Sequence, residues 1–251
     1  MNDINNLENF NNNYSNESMN KLAKLYRNIV KGVNFDRQNK GGRMIEISRN
    51  LVEEIRNYRN NYCKMDILSN TCNKKEVGGI LTGDINNKGT ISIYSRVEKL
   101  VKGDGDTIQL DHKTDKDLIF HTHPNAFGIW NKASPPSEFD LYSSLVYAVN
   151  GENLINLVWD SYGIYIYYLL PKVALELRGN QSILENREEI INILRYTKMG
   201  FGFYWKGKDY KGHYKVTDNS FSKYRNLLKS IGFYVNFKPY KSKKIEFIIP
   251  V

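Results

Sequence analysis

The apolar residues of this chain are gathered into runs no longer than a strand, and each run gives way to turn-forming residues or to a stretch with helical spacing. No run approaches the ~18 uninterrupted apolar residues that a membrane-spanning helix requires. Strand-sized runs alternating with helical stretches predict a mixed sheet flanked by helices, an α/β fold. Hydrophobic residues at 41% and charged residues at 25% lie near the globular average, so 251 residues can bury a substantial core.

Three regions follow from the pattern. Residues 1–40 are polar and carry Asn11-Asn12-Asn13, which predicts a flexible Asn-rich tail with a short helix at Met19 to Val30. The start is also too polar for the apolar core of a signal peptide, so the expectation is an intracellular, soluble protein, cytoplasmic or nuclear. Residues 41–172 hold the regular strand and helix alternation, and 173–251 read as a small α+β extension of unknown role.

Within the central region, Met44 to Ile47 predicts a strand, and Ser48 caps a helix carrying Leu51, Val52, Ile55 and Tyr58 at near-helical spacing. Glu76 to Gly83 suits a buried strand with a close backbone neighbour at Gly78 and Gly79. Thr90 to Val97 is a second strand, Thr107 to Asp111 a weaker candidate, and Asp117 to Phe120 a third. Ser137 opens a helix whose apolar stripe is Leu141, Leu145 and Val146, ending near Asn150-Gly151. Leu154 to Trp159 and Ile164 to Leu170 pair across Asp160 to Gly163. Beyond Pro171 the expectations are a helix at Ser182 to Tyr196, a Gly- and aromatic-rich link at Gly200 to Tyr204, a helix at Ser220 to Lys229, and strands at Tyr234 to Phe237 and Ile245 to Ile249.

The chemistry concentrates in one place. Two of the four histidines fall in His121-Thr122-His123-Pro124, where strand alternation sends both imidazoles to one face. Neutral imidazoles so placed can share a metal ion, and Asp140, near the first turn of the next helix, offers a third ligand. Three protein ligands leave one position open for a water whose pKa zinc lowers toward about 7. Glu76, at the start of the glycine-rich strand, is the candidate base for that water, and Ser137 the candidate donor to a developing oxyanion. Each residue also has a plainer reading: Glu76 as a strand-start charge, Ser137 as an N-cap, Asp140 as a first-turn carboxylate. His112 and His213 have no recognisable partner and are left structural. Cys63 and Cys72 form neither a Cys-x-x-Cys pair nor a disulfide framework.

In order and in flanking elements, Glu76-Val77-Gly78-Gly79-Ile80-Leu81-Thr82-Gly83, His121-Thr122-His123-Pro124 and Ser137-Glu138-Phe139-Asp140 resemble the signature of the JAMM (MPN-plus, JAB-domain) zinc metalloproteases. The resemblance spans roughly Arg43 to Leu170. It implies a cytidine-deaminase-like mixed sheet and one catalytic Zn2+ held by His121, His123 and Asp140. It further implies Glu76 as general base, Ser137 as stabiliser of the tetrahedral intermediate, and cleavage of isopeptide or peptide bonds, often in ubiquitin or ubiquitin-like conjugates. One departure concerns the loop. Thirteen residues, Pro124 to Pro136, separate His123 from Ser137, more than the family pattern has, which places an insertion such as Phe127 to Ala133 beside the site. Phe127 and Trp130 within it are core plugs or a surface that grips a partner protein.

Three other classes stay open at this stage: a peptidase that trims a precursor, a non-catalytic scaffold of the same fold, and a nucleic-acid-associated protein suggested by the net charge of +9. No membrane partner is expected.

Overall fold

The computed structural model describes residues 42–66, 71–85, 91–103, 118–123, 135–204 and 218–250. The expected tail helix at Met19 to Val30, the strand at Thr107 to Asp111, His112, His213 and the insertion Phe127 to Ala133 lie outside the described residues.

Among the described residues, ten strands and six helices run in the order β1 (Gly42–Ile47), α1 (Arg49–Asn61), β2 (Cys63–Asp66), β3 (Thr71–Lys74), β4 (Val77–Ile85), β5 (Ile91–Lys102), β6 (Leu118–Thr122), α2 (Glu138–Val149), β7 (Ile155–Trp159), β8 (Gly163–Leu169), α3 (Pro171–Leu177), α4 (Ser182–Glu185), α5 (Arg187–Tyr204), α6 (Asp218–Ser230), β9 (Phe233–Pro239) and β10 (Ile245–Pro250). Eight strands form one mixed sheet in the order β10-β1-β5-β4-β6-β7-β8-β9, and β2 and β3 make a separate hairpin. Among the described residues no helix is long and apolar enough to cross a membrane.

Both faces of the sheet are covered at β8, next to the β9 edge, so β8 is buried at every position. Ile164, Ile166 and Tyr168 point to one face, where they join Ile45, Phe120, Leu157, Trp159 and Phe247 beneath Leu51, Val52 and Ile55 of α1. Tyr165, Tyr167 and Leu169 point to the other, where Leu141 and Leu145 of α2, Val173 of α3, Ile190 of α5 and Tyr224 of α6 pack. Period-two alternation along one strand thus serves two cores.

Gly79 explains the apolar glycine run. A Cβ there would sit 2.0 Å from the Lys99 carbonyl oxygen on β5. Only glycine permits so close an approach beside the bulge between Ile80 and Leu81.

The described strands of the C-terminal third are edges of the main sheet. β9 pairs antiparallel with β8, and β10 pairs antiparallel with β1. Gly200 to Tyr204, expected as a link, is helical and ends α5. Residues 182–196, expected as one helix, fall in α4 and α5, which divide at Asn186, the C-cap of α4. α3 and the β2–β3 hairpin were not expected; Cys63 and Cys72 lie on that hairpin, in register with Lys74 and Met65.

Candidate functional site

The site lies at the carboxyl end of β6, a central strand between antiparallel β4 and parallel β7. Alternation along β6 buries Leu118 and Phe120 against the α1 side of the sheet, so His121 and His123 face α2. His123 follows the last residue of the strand, and its N–H still donates to the Trp159 carbonyl at 2.8 Å.

α2 supplies the carboxylate. Ser137 adopts an extended backbone at the N-cap, its hydroxyl accepts the Asp140 N–H at 3.1 Å, and the Asp140 side chain accepts the Ser137 N–H through Oδ2. This reciprocal capping box fixes the first turn of the helix and aims Asp140 back at the sheet. His121 Nε2 stands 3.1 Å from Asp140 Oδ1, His123 Nε2 stands 3.2 Å from Oδ2, and the two Nε2 atoms are 3.1 Å apart. Burial pushes the Asp140 carboxyl up, but the His121 and His123 imidazoles outweigh burial and hold it well below the usual carboxylate range.

One nitrogen from each histidine and one oxygen from Asp140 lie within 4.8 Å of one another, so this trio could hold a metal ion. Its spacing suits a small tetrahedral ion: bonds of about 2.0–2.2 Å separate neighbouring ligand atoms by about 3.3 Å.

Glu76 stands immediately before β4 and outside the trio. Gly78 pairs with His121, and the Val77 N–H donates to the Thr122 hydroxyl at 3.0 Å. Glu76 therefore lies two residues before the Gly78–His121 pair, toward the end of the register at which His123 stands. The Tyr167 hydroxyl senses the same juxtaposition. Burial first, then the charge of Asp140, with Glu76 contributing, pushes it well above its usual range. Tyr224 is raised by burial and by Asp140, and its hydroxyl donates to the Pro136 carbonyl at 3.4 Å. Two neutral phenols therefore stand behind the carboxylate.

The sequence reading missed Arg59. The expected apolar stripe of α1 ran through Tyr58, but Tyr58 donates from its hydroxyl to Glu54 at 2.9 Å, and the buried position is Arg59. The signal was present in the spacing: Leu51, Ile55 and Arg59 recur every four residues, so a guanidinium falls on the core-facing line. Thr122 and Tyr224 were missed as well, and nothing in their local sequence distinguishes them from ordinary core residues.

No protein-family model matches the chain, and no curated protein matches it. Solved structures that match include the STIL N-terminal domain of Trichoplax adhaerens, at 14% identity and a TM-score of 0.24, over 53% of this chain and 43% of that one. The chain therefore spans less than half of that domain's length, and a likeness at this level carries no inference about fold or role.

Proposed function

We propose that this protein is a metallohydrolase of the JAMM type that holds one zinc ion on His121, His123 and Asp140 and hydrolyses an isopeptide or peptide bond in a protein substrate. The observation that carries the reading is the convergence of two imidazoles on one carboxylate, at 3.1 and 3.2 Å, from segments 17 residues apart or more in sequence. The finer assignments, a cytidine-deaminase-like JAMM fold and a ubiquitin or ubiquitin-like conjugate as substrate, rest on the order of Glu76, His-x-His-Pro and Ser-x-x-Asp.

Bound there, zinc supplies Lewis acidity and, with one position left open by three protein ligands, a water acidic near neutral pH. The remaining work belongs to the chain. Asp140 accepts the Ser137 N–H through Oδ2, which also faces His123, and turns Oδ1 toward His121, so helix α2 orients it. Glu76, toward the end of the β4–β6 register at which His123 stands, takes the proton released when water attacks the carbonyl and returns it to the departing amine. Ser137 accepts the Asp140 N–H through its oxygen, which leaves its O–H able to donate to the carbonyl oxygen as charge develops.

One observation favours a second reading, a non-catalytic scaffold. Ser137 and Asp140 complete a capping box, which accounts for that pair without any chemistry. It does not account for the imidazoles.

The test is turnover of isopeptide-linked ubiquitin conjugates and of unstructured peptides by wild type and Glu76→Gln. The expected result is cleavage by wild type and a loss of about 10²–10⁴-fold in the variant, with metal retained. Equal turnover by the two proteins refutes the role of Glu76, and cleavage of peptides alone moves the substrate class to a peptidase's.

A further inference from the structure

Arg59 carries a buried charge that the proposed chemistry does not use. It sits on the core-facing line of α1, is 6% exposed, and is the residue of that line that is neither aliphatic nor aromatic. Its Nε donates to the His123 carbonyl at 2.9 Å, its Nη2 to the Ser161 hydroxyl at 2.7 Å, and its Nη1 to the Asn60 side chain at 3.1 Å. Burial lowers its pKa, while Tyr240 and Asp160 act in the opposite sense.

The bond to His123 is the informative one. His123 lies one residue past β6, and Pro124 follows it, so the next peptide has no N–H with which to continue a ladder. The His123 N–H is tied to Trp159 on β7, and its carbonyl is tied to α1. Both ends of this residue's main chain are therefore anchored. α1 packs on the face of the sheet opposite α2, so Arg59 grips the backbone from one side while the imidazole meets Asp140 on the other.

We propose that Arg59 is a positioning residue for the metal site: by holding the His123 carbonyl it sets the direction of the His123 imidazole and hence the affinity of the site for metal. The inference rests on the reading that His121, His123 and Asp140 bind a metal. Groups that orient metal ligands from behind change affinity about 10–100-fold when removed.

The experiment measures the zinc dissociation constant by chelator competition and the visible absorption of the cobalt-substituted protein, for wild type, Arg59→Met and Ser161→Ala. Thermal melting is recorded alongside. Arg59→Met is expected to weaken zinc binding about 10–100-fold and to alter the cobalt bands. Ser161→Ala, which removes a different contact of Arg59, is expected to lower the melting temperature and leave affinity and bands at wild-type values. If Arg59→Met does not fold, Arg59→Gln is read by the same two signals with the same expectation. A folded Arg59 variant with wild-type affinity and spectrum overturns the inference, and so does a Ser161→Ala variant weakened equally. Wild-type protein that binds neither metal overturns the reading of the site itself.

Discussion

Replacing Thr122 by valine separates the scaffold of the site from its ligands. Thr122 lies between the two histidines on the opposite face of β6 and has no exposed surface; its hydroxyl accepts the Val77 N–H at 3.0 Å. Valine keeps the branched shape and volume, so the change introduces no cavity; it removes the acceptor from a buried amide. A buried donor left unpaired costs about 1–3 kcal/mol. Near 2 kcal/mol, and at roughly 2–4 °C per kcal/mol for a chain of this size, the melting temperature falls by about 4–8 °C. The loss is local to Val77 and therefore to its neighbour Glu76, so the proposed base loosens while His121 and His123 keep their places on β6. Urea unfolding gives the stability, amide exchange at Val77 locates the loss, and zinc titration reports on the ligands. The expected pattern is lower stability, faster exchange at Val77 and metal affinity within about twofold of wild type. A Thr122→Val protein of wild-type stability with a protected Val77 amide refutes the argument.

Gly79→Ala places a Cβ against the Lys99 carbonyl at 2.0 Å, with the Phe120 ring at 2.8 Å, so β4 and β5 must separate; overpacking of this kind costs about 1–3 kcal/mol or more, read by urea unfolding, and a neutral effect contradicts the packing. The depressed carboxyl of Asp140 adds stability to the metal-free protein that is fully present above the unfolded value of about 3.9 and is lost as pH falls through the folded one. Unfolding of metal-free wild type and Asp140→Asn between pH 6 and pH 2 is expected to show a gap that closes at the acid end; a gap independent of pH refutes the assignment.

What could be read from the sequence depended on how local its cause was. The frame of the site was legible because strand alternation, an N-cap and a His-x-His pair act within a few residues: β6 and α2 follow from neighbours in the chain, whereas the meeting of the imidazoles with Asp140 joins separate segments. The partnerships of β9 and β10 were not legible. Their edges match those of β8 and β1, which lie far away in sequence, and no short-range pattern encodes which edge a strand joins. Gly200 and Gly202 suggested a break, but helix α5 runs through both, a case of tertiary context overriding propensity. Arg59 was hard to read because a guanidinium ordinarily lies on a solvent face, although its four-residue spacing with Leu51 and Ile55 puts it on the core-facing line.

Whether His121, His123 and Asp140 hold a metal ion is answered by elemental analysis of the purified protein. Wild type and a His121→Ala/His123→Ala double variant, prepared side by side and offered zinc, are compared for metal per chain. About one zinc ion per wild-type chain and none in the variant is the result expected of a site built from these ligands. Wild-type protein that retains no metal after zinc is supplied, or a variant that retains as much as wild type, contradicts a metal site there.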